Sequence, residues 1–409
     1  MGINRFYFVV ITAFLPLTLR GQILNPLELG GDKCERIDEI IYQPQMHVED
    51  SILYVCTSQG LYSKDLSING SLWLQAGFEG IPIIDYARME DDILALCYND
   101  NTCMLLLSHD DGKHFEDVTS DLFGENVDGN NGLLALAQHP NMPNKLIVLS
   151  SLSSSYGVFQ SSDFGDNWNK VNTTVLEKVG YHPSYSDILY ECGQDDSYEA
   201  SINISYDGGQ SWDYHTPYDN GDNFVTRITF NPKDPDKWLA GGLGNVYMTS
   251  DNGHSWTTHV FSDVVLKETL WDFISYDNNN EDIVYLFGHT RDYYIMIIST
   301  DGGKTWSNVR TEFLKASLYE TPNDLKQYYD KLLIYTETDV YELSKTELIS
   351  LTMSAEGVIY ENVGGSMAIY DYYGRRQESN STDIKQNKGL VIIVSYDDGV
   401  VRIEKRFIQ

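Results

Sequence analysis

Hydrophobic and polar residues alternate along most of this chain in short runs that fit β-strands and nothing longer. Five such runs open just after a turn: Asp92–Leu96, Lys145–Leu149, Asp187–Tyr190, Lys237–Ala240 and Asp282–Leu286. Each is preceded by another strand, ending at His139-Pro140, His182-Pro183 or Asn231-Pro232 where the turn is longest. Each is followed by a third alternating run, such as Asn245–Met248 or Tyr294–Ile298. The pattern predicts an all-β chain of repeated strand–turn–strand–loop–strand units.

A turn motif closes each unit. Ser/Thr-x-Asp-x-Gly-x-x-aromatic occurs at Ser108–Phe115, Ser161–Trp168, Ser205–Trp212, Thr249–Trp256 and Ser299–Trp306. Its aspartates, Asp110, Asp163, Asp207, Asp251 and Asp301, are spaced by 53, 44, 44 and 50 residues, and a degenerate copy spans Ser63–Trp73. Asp and Ser side chains bond nearby backbone N–H groups, and Gly supplies a left-handed turn conformation. The aromatic residue, Trp168, Trp212, Trp256 or Trp306 in the best copies, anchors the hairpin. These residues are therefore read as structural rather than catalytic. A period near 45 residues with four strands describes a propeller blade. Residues 22–345 hold seven blades, the seventh (Lys331–Tyr335 and Asp339–Leu343) lacking the motif; six blades is the alternative.

The motif resembles the BNR/Asp-box superfamily, which includes sialidases, xyloglucan-cleaving hydrolases, sortilin-type receptors and propellers similar to photosystem II assembly factors. The resemblance implies fold more than function.

Residues 346–409 depart from the repeat and predict a small β-sandwich. Tyr370-Asp-Tyr-Tyr-Gly374-Arg375, the Lys388-Gly389 strand and a basic final strand resemble the C-terminal sorting domain of type IX secretion cargo, with Val391 where that family usually has Tyr. Residues 1–21 read as a signal peptide: Arg5, the apolar stretch Phe6–Leu19, then Gly21. Together they imply export through the periplasm to the cell surface or the medium, with the type IX machinery as a partner. No later segment is apolar enough to span a membrane.

A net charge of -32 repels phosphate backbones and excludes nucleic acid as a partner. No cofactor or metal motif is present. The five cysteines, Cys34, Cys56, Cys97, Cys103 and Cys192, form no metal pattern. A disulfide is expected between Cys97 and Cys103 across a short loop.

Aligning the innermost strands gives a column of channel-facing residues: Glu39, Asp85, Ala135, Lys178, Arg227 and Asp272, with Asp324 nearest in blade seven. Acids and bases fall on opposite arcs. Trp271, His289 and Arg291 lie close by in sequence, as do Tyr181, Asp195 and Asp196. A site is expected on the face opposite the Asp boxes. Two functions fit. The first is a non-catalytic propeller binding glycan or protein at this face. The second is a glycoside hydrolase, sialidase-like or xyloglucanase-like, with Asp85 and Asp272 as its paired carboxylates.

Overall fold

The computed structural model describes residues 25–29, 44–99, 102–120, 133–151, 156–217, 223–290, 294–309, 322–336, 339–346 and 348–349, together with strands between 359 and 408. Glu39, Arg291, Cys34 and the leader at 1–21 lie outside them.

Seven four-stranded antiparallel sheets follow one another along the chain. The first runs through strands 46–49, 52–57, 60–65 and 74–77; the sixth through 270–276, 284–289, 294–299 and 307–309. The seventh takes strands 324–328, 331–335 and 340–344 from the end of the propeller and its outermost strand, Asn25–Pro26, from the beginning. Leu27 N–H to Val340 O at 2.7 Å and Leu29 N–H to Asp339 Oδ1 at 2.9 Å extend this closure. The chain is a seven-bladed β-propeller, nearly all β, with one four-residue helix at Val264–Lys267 among the described residues.

Why it closes is visible in the core. Strands alternate, so each blade has two apolar faces, and each face meets a neighbouring blade. Seven hydrophobic clusters result, one at each seam. The last joins Leu29, Leu333, Tyr335 and Val340 to Met46, Leu53 and Val55.

The Asp boxes occupy the turns between third and fourth strands. In the fourth blade, Ser205 Oγ donates to Asp207 Oδ1 at 2.9 Å and accepts from Gly209 N–H at 2.7 Å. Asp207 then accepts from Ser211 N–H at 2.8 Å and Ser211 Oγ at 2.6 Å. Gly209 sits at φ +93° with Val171 Cβ 2.9 Å from where its own Cβ would be, so only glycine fits. The ring does more than anchor its own hairpin. Trp212 packs into the seam with blade three and donates to Val171 O at 2.9 Å. Trp73, from the degenerate copy, likewise donates to Leu27 O on blade seven.

The expected Cys97–Cys103 bridge is absent. Cys97 pairs with Met104 and Cys103 with Tyr98, so the two side chains leave opposite faces of the sheet. Cys97 lies in the seam of blades one and two, Cys103 in that of two and three, and neither is in a disulfide, nor is Cys56 or Cys192.

In the tail, five strands form one mixed sheet in which Ile359–Val363 pairs parallel with Gly389–Asp397, and Gly389–Asp397 pairs antiparallel with Val400–Ile408. No described helix is long and apolar enough to cross a membrane.

Candidate functional site: the charged axial channel

Each innermost strand starts at one end of the channel and runs toward its first turn. Blade one's innermost strand is Met46–Glu49, and Glu39 lies outside the described residues. Blades one, two and seven share a two-residue first turn, with Glu49, Met89 and Tyr328 pairing across it. Counting back from those turns puts Gln45, Asp85 and Asp324 at one level. Gln45 stands at this level in blade one, and Asp324 joins the column.

Arg227 closes the channel across its width. From blade five its Nη1 reaches Asp324 Oδ1 in blade seven at 3.3 Å, and its Nη2 reaches Gln45 Oε1 in blade one at 3.2 Å. The guanidinium lies over the Phe273 ring, 4.5 Å from its centroid. Asp324 is fully buried and also takes Lys326 Nζ at 2.9 Å and Met46 N–H at 3.1 Å. Burial pushes the Asp324 carboxyl up, but Lys326, Arg227 and these bonds outweigh it and hold it below the usual carboxylate range.

The two candidate carboxylates are each engaged by a histidine. Asp85 Oδ1 meets His47 Nε2 at 2.6 Å and also accepts Tyr86 N–H at 2.8 Å. Asp272 Oδ2 meets His289 Nδ1 at 2.7 Å. Burial raises the Asp272 carboxyl, opposed by His289 and Arg227, and the bond to Asp272 raises His289. At Asp272 burial outweighs the opposing pull of His289 and Arg227. Lys178, half-buried on the wall, is lowered to about 8 by burial and by the like charge of Arg227.

Trp271 offers no ring face to a ligand. It is fully buried at the seam of blades five and six, 5.4 Å from Phe261. Tyr181 is buried too and donates to Leu146 O at 3.0 Å.

A cavity of about 690 Å3 opens at the other end of the channel from the one expected, among the first turns and hence on the Asp-box side. His47, Glu49, Asp85, Arg88, Ser275 and Lys326 are on its walls. Glu49 accepts from Tyr86 O–H at 2.6 Å, and Arg88 pairs with Asp111. The longer turns at this end are tied by their own first residues, which explains the His139, His182, Asn231 column. His182 Nδ1 accepts from Ser184 and Tyr185 N–H, and Asn231 Oδ1 from Lys233 and Asp234 N–H. Sequence reasoning missed Gln45, His47 and Lys326; the two-residue turn after Glu49 was the signal that would have set the register.

Comparison with known proteins supports a BNR-type β-propeller. The family model Sortilin-Vps10 (Sortilin, neurotensin receptor 3) matches residues 200–400, a little under half of the chain. No curated protein matches. The GH74 xyloglucanase from Xanthomonas campestris is similar in structure at 16% identity and TM-score 0.54, covering 78% of this chain and 53% of its own. This chain thus spans about half of that enzyme's length. YCF48 from Cyanidioschyzon merolae aligns at 12% identity and TM-score 0.53, covering 76% of this chain and 98% of its own. A YCF48 bound to D1 peptide aligns at 12% identity and TM-score 0.52, covering 74% and 92% respectively. At these identities the likeness is one of fold.

Proposed function

We propose that this chain is an exported propeller that binds a glycan or protein ligand at its charged channel and carries out no reaction there. The observation behind this reading is that most of the channel charges, Lys178 apart, are spent on one another. Arg227 and Lys326 share Asp324, while Asp85 and Asp272 are each bonded to a histidine. Fixed pairs of this kind make a rigid polar surface that orients a ligand at little reorganisation cost. Glycosidic cleavage asks instead for two carboxyl groups about 5–9 Å apart across one bond, free to exchange a proton with substrate. The YCF48 propeller bound to D1 peptide lends weight to a peptide or protein ligand. The leader at 1–21 and the tail from 346 belong to the same proposal, as signals for export and type IX sorting.

The raised carboxyl of Asp272 is what favours the hydrolase reading, since a general acid needs it. Glycan-array binding and a glycoside hydrolysis screen on purified protein separate the two. The expected outcome is binding without turnover. Glycoside turnover lost in Asp272→Asn or Asp85→Asn, with the fold intact, would falsify the binding reading.

A further inference from the structure

Glu191 lies outside the channel column. It sits on the second strand of blade four and is fully buried. No cation pairs with it among the described residues. Its Oε2 instead accepts from Asn172 Nδ2 at 2.8 Å, Thr174 Oγ1 at 3.1 Å and Asn203 Nδ2 at 3.2 Å. Its Oε1 accepts from Leu176 N–H at 3.4 Å. Asn172 ends the outer strand of blade three, Asn169–Asn172, and Thr174 and Leu176 lie on the connector from it to the innermost strand of blade four, which starts at Lys178. One carboxyl group therefore holds the segment that delivers Lys178 to the channel.

The network is built from donors only. Thr174 Oγ1 already accepts from Asn172 Nδ2 at 2.7 Å and Asn203 Nδ2 at 3.3 Å, so its own hydrogen goes to Glu191. Among the described residues only the Leu176 N–H bonds Oε1, so a proton there sets donor against donor and breaks the longest of the four bonds. Burial and hydrogen bonding thus pull in opposite directions, one toward the neutral acid and the other toward the anion.

We propose that Glu191 is a proton-operated latch on the blade three–blade four connector: ionised, it holds residues 172–176 in place; protonated, it releases Leu176 and loosens the approach to Lys178. Burial lifts the carboxyl to about 7 against the four hydrogen bonds, which places the switch where small changes of pH operate it. The other titratable groups around it are Tyr156 on blade three, which feels Glu191 and Asp196, Glu177 on the connector, and Cys192 on the same strand, which feels Glu177, Lys178, Arg227 and Glu191. Glu177 is itself raised by burial and accepts Gln194 N–H at 2.8 Å, so it is the competing titrant. The folded carboxyl titrates above its ordinary value of 4.5, so global stability rises as pH falls from about 7 toward 4.5, while the Leu176 contact alone, which favours the anion, is lost over the same range.

The consequence for ligand rests on the channel reading, but the latch is measured without ligand and so fails or stands separately. Hydrogen exchange of the full, ligand-free chain is followed by mass spectrometry at pH 6 and pH 8, corrected for intrinsic rates. A peptide covering residues 173–178 is expected to lose protection at least tenfold at pH 6 in wild type and to be unprotected at both values in Glu191→Gln. Equal protection at the two pH values in wild type overturns the latch. So does a pH step that persists in Glu191→Gln, which assigns the titration to Glu177. If Glu191→Gln fails to fold, the wild-type profile together with Glu177→Gln decides: a step retained in Glu177→Gln supports Glu191, and a step lost there overturns it.

Discussion

Lys178 shows how one side chain can be costly and still be kept. A lysine ammonium half-buried beside Arg227 pays for lost hydration and for like charge, and its folded value drops to about 8. The sign of the linkage follows. Between about 8 and its unfolded value near 10.4, the unfolded chain holds more protons, so stability rises with pH in that window. Urea midpoints at pH 7.5 and pH 9.5 are expected to show this rise in wild type and to lose part of it in Lys178→Met. An unchanged pH dependence in Lys178→Met would mean that the ammonium is better solvated than its surroundings indicate.

The element that recurs is the Asp box, and its parts do different work. Asp207 and Ser205 satisfy backbone groups within one exposed turn. Trp212 fills the seam between two blades and bonds Val171 O across it. Asp207→Ala is expected to cost about 1–2 kcal/mol through lost turn bonds. Trp212→Ala is expected to cost roughly 3–5 kcal/mol, since it empties a seam. Chemical denaturation measures both, and neither substitution is expected to change ligand affinity at the channel. Equal costs for the two would show that the ring serves only its own hairpin.

At the scale of the whole molecule, stability depends on closure. Residues 25–29 supply the outer strand of the last blade, and Leu29 fills the seam with the first. Deleting residues 25–29 removes about 2–4 kcal/mol of apolar burial from buried Leu29 and half-buried Leu27 alone. Exchange protection in strand 340–344 is expected to fall first, because it then becomes an unpaired edge. A deletion variant with wild-type cooperativity would show that the ring holds without this strand. The far end has a clamp of its own. Lys345 Nζ, almost buried, pairs with Asp277 at 2.9 Å and donates to Gln327 at 2.7 Å, tying the last turn of the propeller to blade six.

Blade number, strand order and the place of every Asp box were legible in the sequence because all three depend on local patterns: a period of two along strands, a glycine with positive φ, and a 45-residue repeat. The column Asp85, Lys178, Arg227 and Asp272 was drawn from the same repeat. What lay beyond reach depends on register and on blades far apart in sequence. The short first turn after Glu49, not read from the sequence, sets Gln45 level with Asp85 and Asp324. Strand alternation, invisible until Cys103 was paired with Tyr98, put Cys97 and Cys103 on opposite faces. Trp271 sits beside a channel residue in sequence yet points into a seam, since neighbours on a strand face opposite ways. Only the closed ring could bring Arg227 to Asp324 and Gln45, 182 residues away in the chain from the latter, because the channel is made by the return of the last blade to the first.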